Sequence, residues 1–193
     1  MSEQEKPHKI LFRFNSSLFG KEMVESLWAL EVEADQGLYK IDSIPYYVPL
    51  IATEDIVRAT YNKMEEGLLY QETVTPSGNS TIQVIRQNED TPLLDLRKQF
   101  AEVGCVSVEV NEDFFVLEVP VNINYAVVKD KLDELEQQEE IEYAEPSLSD
   151  IHREQTSLAE ATGSLLCFML RRCNGNHTHL HSACCQQCHR TGF

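Results

Sequence analysis

Alternation of apolar and polar positions starts at residue 9 and continues, with breaks, to residue 76. Lys9–Phe14 (KILFRF) alternates over six residues and reads as a first strand. Ser26–Val32 alternates loosely, Ala34-Asp35-Gln36-Gly37 turns the chain, and Leu38-Tyr39-Lys40-Ile41 resumes the pattern, so a hairpin is expected. Ile44-Pro45-Tyr46-Tyr47-Val48-Pro49 breaks it. Each proline lacks a ladder donor, which makes this an aromatic-rich connection laid against the barrel or sheet. Asp55–Ala59 and Leu68–Val74 follow as strands about a Glu65-Glu66-Gly67 turn.

From Thr81 the period changes. Thr81–Arg86 (TIQVIR) reads as a strand, and Thr91-Pro92 places a capping residue before a proline at a first helical position. Leu93, Leu96, Phe100 and Val103 then form one apolar helical stripe that Gly104 ends. Val106, Val108 and Val110 alternate with polar residues, predicting a strand with one buried face, and Phe114–Val119 returns as its partner. Asn124 can cap a second helix with the buried stripe Tyr125, Val128, Leu132 and Leu135, and Ile141–Ala144 closes as a last strand.

The expected fold class is therefore α+β. A small antiparallel β unit (residues 9–80) precedes a ferredoxin-like βαββαβ half (81–150), packed with the first as one body. A largely irregular Cys/His-rich tail (153–193) follows.

Charge sharpens that division. The net charge is −16, and residues 1–152 carry 12 basic and 30 acidic side chains, so the acidity belongs to the body. Phosphate binding needs Lys and Arg to release counterions, so no nucleic-acid partner is expected. A basic protein partner would be attracted, although an acidic surface also serves solubility alone. Met1–Lys9 has no apolar signal core, and no apolar run approaches the ~18 residues that span a bilayer. No membrane association is expected, and a cytoplasmic location is.

Several first-half segments carry a resemblance. Glu25-Ser26-Leu27-Trp28-Ala29, Gly37–Tyr46 (GLYKIDSIPY), Asp55-Ile56-Val57 and Ser77–Val84 (SGNSTIQV) resemble, in order and spacing, the bacterial family called domain of unknown function 4265. The family pattern is similar to E-x-L-W-A, G-x-Y-x-[IL]-D-x-I-P-[FY], D-x-V and S-G-[HN]-S-T-x-x-V. The resemblance spans about residues 9–150. It implies a shared fold and a bacterial source, and no reaction. Asn79 stands where the family often has histidine, so any proton transfer there is not open to this chain in the same way.

In the body, Ser77-Gly78-Asn79-Ser80-Thr81 is the candidate loop. It is turn chemistry first, with Ser77, Asn79 and Ser80 as possible hydrogen-bonding contacts to a ligand or partner. Trp28, between Leu27 and Leu30, is expected to anchor the core rather than offer a stacking platform. Tyr46 and Tyr47 could line a groove or cover the barrel edge. Cys105 is expected to be a buried small apolar residue. No histidine lies between His8 and His152, so a serine or cysteine nucleophile would lack its usual base, and no catalytic residue is assigned.

The tail holds five of the six cysteines. Cys167, Cys173, His177, His179, His181, Cys184, Cys185, Cys188 and His189 form a set of thiolate and imidazole ligands suited to zinc or Cu(I). Cys185-x-x-Cys188 has the loop length for two sulfurs on one ion, whereas Cys167-x5-Cys173 matches no standard knuckle. Two other readings stay open. The tail could be the core of a ribosomally made modified peptide, acted on by peptide-modifying enzymes, with the folded body as leader. It could also be a reading-frame accident without a role.

The function expected of the body is that of a non-enzymatic acidic binding module for a protein, of the immunity-like kind. Small-molecule sensing on the ferredoxin-like sheet is the alternative for the body.

Overall fold

The computed structural model describes residues 7–16 and 20–157. These form an α+β arrangement with antiparallel sheets, richer in strand than in helix. Five strands, β1 (Pro7–Ser16), β2 (Lys21–Glu33), β3 (Leu38–Ile41), β4 (Ile56–Asn62) and β5 (Gly67–Thr75), follow one another as a meander and close into a barrel. A meander of five returns its last strand in the direction of its first, so closure pairs β1 with β5 in parallel, Ile10 opposite Leu68. All other pairs in the barrel are antiparallel.

Alternation sets the barrel interior: Ile10, Phe12, Leu27, Ala29, Tyr39, Ile41, Val57 and Ala59 point inward and are buried. Gly37, at φ +64°, lies so close to β4 that a Cβ there would sit 2.8 Å from the Ala59 carbonyl oxygen. The hairpin predicted between Ser26–Val32 and Leu38–Ile41 is present, with β2 longer than expected at its start.

A second sheet contains β6 (Ser80–Arg86), β7 (Val106–Glu109), β8 (Phe114–Val119) and β9 (Ile141–Ser147) in the order β7-β8-β6-β9, antiparallel throughout. Helices α1 (Leu93–Glu102) and α2 (Tyr125–Gln137) bury Leu93, Leu96, Phe100, Tyr125, Val128, Leu132 and Leu135 with Ile82, Val84, Phe115, Leu117 and Val119. Both helical stripes are those the 3.6-residue spacing predicts. Asn124 caps α2 as expected, its side chain accepting from Ala126 N–H at 3.1 Å.

Thr91 does not cap α1. Pro92 itself is extended (φ −61°, ψ 132°) rather than helical, so the helix starts one residue later, with Pro92 at the N-cap and no side-chain bond. The Pro92 carbonyl instead accepts from Asp95 and Leu96 N–H.

The valines of β7 also differ from expectation. Val106 and Val108 pair with Glu118 and Val116, which puts them on the face away from the helices, and Val106 is 51% exposed. That face is covered only in part, by residues 42–55, which connect β3 to β4 without a strand of their own. Gln83 Nε2 donates to the Tyr46 carbonyl (2.7 Å), Asn79 Nδ2 to Thr53 O (3.1 Å), and Leu50 N–H to Pro146 O (2.9 Å). Tyr47 packs on Phe114 of β8, ring centroids 5.7 Å apart. Barrel and sheet are thus joined through this connection.

Beyond β9 the chain enters a further helix, α3, over residues 150–157. The first five residues counted with the tail are therefore helical.

Candidate functional site

Two clefts border the 42–55 connection. The first, of about 370 Å³, lies between this connection and the uncovered end of the second sheet. Its apolar surface comes from Ile41, Ile44, Val106 and Val108, and its polar surface from Asp42, Ser43, Thr53, Glu54 and Glu118, with Tyr46 beside them. Burial raises the pKa of Glu118, a hydrogen bond from Thr53 works the other way, and the charge of Glu54 raises it further. Glu54 holds the left-handed backbone region at φ +67° and pairs with Lys40 at 3.0 Å.

The second cleft, of about 440 Å³, is bordered by Leu50, Asp55, Ser77, Gly78, Asn79 and residues 147–151. Several of its polar groups are held by hydrogen bonds to nearby backbone. Asp55 is buried and accepts from Ala52 N–H (2.9 Å) and Ser77 N–H (2.7 Å); burial raises its pKa and these bonds oppose the rise. Gly78, at φ +87°, turns the loop where a Cβ would lie 2.7 Å from Val121. Asn79 is buried, donates to Thr53 O and accepts from Val121 N–H at 2.9 Å, tying the connection to the loop before α2. Ser77 Oγ accepts from Asn79 N–H at 3.1 Å. The structural role expected of this loop is what these bonds describe.

Ser80 lies behind it, fully buried, and here the sequence expectation is corrected. A histidine does reach a serine in the body: His152 of α3, also without exposed surface, places Nδ1 2.7 Å from Ser80 Oγ. Ser80 Oγ also accepts from Ser149 N–H at 2.9 Å, and Gln155 Oε1 accepts from Tyr125 N–H at 2.7 Å. The imidazole stacks on Tyr125 with centroids 5.5 Å apart. Its Nε2 is buried without a hydrogen-bond partner, and burial lowers its pKa although the backbone of Pro120 and Ile123 acts to raise it. Neither Ser80 nor His152 borders either cleft. The pair fastens α3 to the second sheet.

Trp28 is the second correction. Leu27 and Ala29 point into the barrel, so alternation turns Trp28 outward, 46% exposed, with Lys9 Nζ 4.7 Å above its ring. Val24 and Val32 are exposed on the same strand face. The Trp28 backbone bonds the connection on both sides, its carbonyl accepting from Asp42 N–H and its N–H donating to Ser43 Oγ. Trp28 thus adjoins the rim of the first cleft. Tyr46 borders that cleft, and Tyr47 bridges to Phe114. Cys105 is buried as expected, its thiol pushed up to about 12 by burial.

Glu25 stands in the family pattern, but its role was not read from the sequence. Its carboxylate accepts from three successive backbone N–H groups, Tyr46 (2.7 Å), Tyr47 (2.9 Å) and Val48 (2.7 Å), holding the Pro45–Val48 bend as a backbone nest holds an anion. The signal was present as a glutamate two residues before Leu27, at the same alternation position as the inward-facing Leu27 and Ala29 of β2.

Among the described residues no group of three or more His, Cys, Asp or Glu side chains is placed to hold a metal ion. Cys167, Cys173, His177, His179, His181, Cys184, Cys185, Cys188 and His189 lie outside the described residues. Among the described residues no helix is long and apolar enough to cross a membrane.

An α+β chain whose E-x-L-W-A glutamate clamps its own I-P-[FY] bend defines a class by architecture. The chain belongs to the family described as domain of unknown function (DUF4265), whose model matches residues 25–143. That match opens on Glu25 and closes on Tyr143, whose phenol lies between Asp133 and Lys129. A crystal structure of a hypothetical protein from Neisseria gonorrhoeae is similar at 22% identity and a TM-score of 0.65, covering 76% of this chain and 99% of that one. At this identity the likeness shows the fold alone. No curated protein matches.

Proposed function

We propose that the folded residues form a non-enzymatic, acidic protein-binding module of the immunity-like kind, acting in the cytoplasm on a basic partner. Trp28 is the observation that carries it. A large aromatic held outward on a barrel strand, flanked by exposed Val24 and Val32, has the character of an interface anchor. The net charge of −16 supplies long-range attraction to a basic surface. The order of elements from β6 to β9 supports reading the second half as ferredoxin-like. Small-molecule sensing remains the alternative, limited to the parts of the open sheet face that residues 42–55 leave uncovered. For the tail, zinc binding and a modified-peptide core rest on sequence composition.

Co-purification from the native host, with the full chain as bait, tests the binding role. A basic protein should be retained at low salt, released at about 0.5 M salt where screening acts within a few ångströms, and lost with Trp28→Ala. Recovery of no partner at low salt, or of one indifferent to both changes, overturns the proposal.

A further inference from the structure

The first cleft pairs an apolar wall with carboxylates at its mouth, a chemistry that neither the family description nor the barrel surface accounts for. Val106 and Val108 belong to a regular strand, yet they sit on the sheet face that the 42–55 connection leaves open, opposite Ile41 and Ile44. Asp42, Glu54 and Glu118 border the same space. Glu118 is partly buried and feels the like charge of Glu54. Lys40 serves Glu54, and Glu118 has the Thr53 hydroxyl, a neutral partner, within hydrogen-bonding reach. A volume of about 370 Å³ is near the low end for ligand pockets (about 300–1,000 Å³) and fits one extended side chain.

We infer that this cleft receives a lysine or arginine side chain of the partner, its methylene stem against Val106, Val108 and Ile44 and its cationic head at Glu118 and Asp42. Long basic side chains bury their stems on apolar surface while the head seeks anions. A cation there also relieves the repulsion between Glu54 and Glu118. The inference rests on the protein-binding reading, names where the partner's charge is read, and places it beside Trp28, whose backbone bonds Asp42 and Ser43 of the rim.

The test needs no identified partner. The 15N-labelled full chain is titrated with Nα-acetyl-lysine methylamide, its arginine counterpart, and the neutral isostere Nα-acetyl-norleucine methylamide. Saturable amide shifts at Val106, Val108, Thr53 and Glu118 are expected with either cation, at least about tenfold weaker with norleucine and in Glu118→Gln. Equal shifts with norleucine, undiminished shifts in Glu118→Gln, or no shifts overturn the site. Val106→Lys, at an exposed strand position, is the second variant: it should fill the cleft with its own cation and abolish the response. Shifts without a recoverable partner leave the cleft standing and the binding role failed. A partner captured equally well by Val106→Lys, with no shifts, leaves the role standing and the cleft excluded.

Discussion

Glu25 shows how much a single side chain organises. Three N–H groups that no strand satisfies converge on its carboxylate, and the bend they define carries Tyr46 to the cleft and Tyr47 to Phe114. Bonds to a charged acceptor are each worth about 1.5–3 kcal/mol, so Glu25→Ala should lower stability by on the order of 3 kcal/mol in urea unfolding. An unchanged midpoint would remove the clamp. Asn79→Asp keeps the acceptor for Val121 N–H but sets a carboxylate oxygen against the Thr53 carbonyl; it should cost about 1–3 kcal/mol. His152 adds a pH dependence. Its folded pKa lies below the ordinary value of 6.5, so the unfolded chain takes up protons first on acidification. Its contribution is complete above about pH 6.5 and declines as pH falls toward the folded value. Asp55 and Glu118, raised by burial, act oppositely, favouring the fold at low pH and losing that contribution as pH rises through their folded values. Between pH 5 and 7.5 the urea midpoint of the native protein should gain with rising pH relative to that of His152→Gln, and a difference that does not change with pH would remove this role of His152.

At the scale of elements, what local spacing encodes was legible and what tertiary geometry decides was not. The stripes of α1 and α2 repeat every three or four residues and needed no partner to be seen. Trp28 was misplaced because apolar residues stand on both faces of β2, Val24, Trp28 and Val32 outside against Leu27 and Ala29 inside, and only barrel closure distinguishes them. The β7 valines alternate as a buried face would, but their burial depends on how far the 42–55 connection extends over the sheet. His152 lies 72 residues from Ser80, a separation over which no periodicity operates. The hydroxyl of Ser80 serves both Ser149 N–H and His152, so Ser80→Ala should destabilise by about 1–3 kcal/mol. It should also reduce the helical circular dichroism signal as α3 loosens. A helical signal identical to that of the native protein would show that α3 holds without the pair.

For the whole molecule, acidity and architecture act together. The barrel presents Trp28, the second sheet presents Val106 and Glu118, and the 42–55 connection brings the two sets to adjoining surfaces. The connection has no strand or helix, yet its backbone is bonded to Glu25, Pro146, Gln83 and Asn79, groups on three different strands or their ends. An irregular segment usually opens by itself, and its amides exchange with solvent long before those of the core. Here the Leu50 N–H is held by the Pro146 carbonyl of β9, so it can release its proton to deuterium only when the connection parts from the second sheet. Its exchange should therefore be as slow as that of Val84 or Phe115, and a loop would report the moment of global opening.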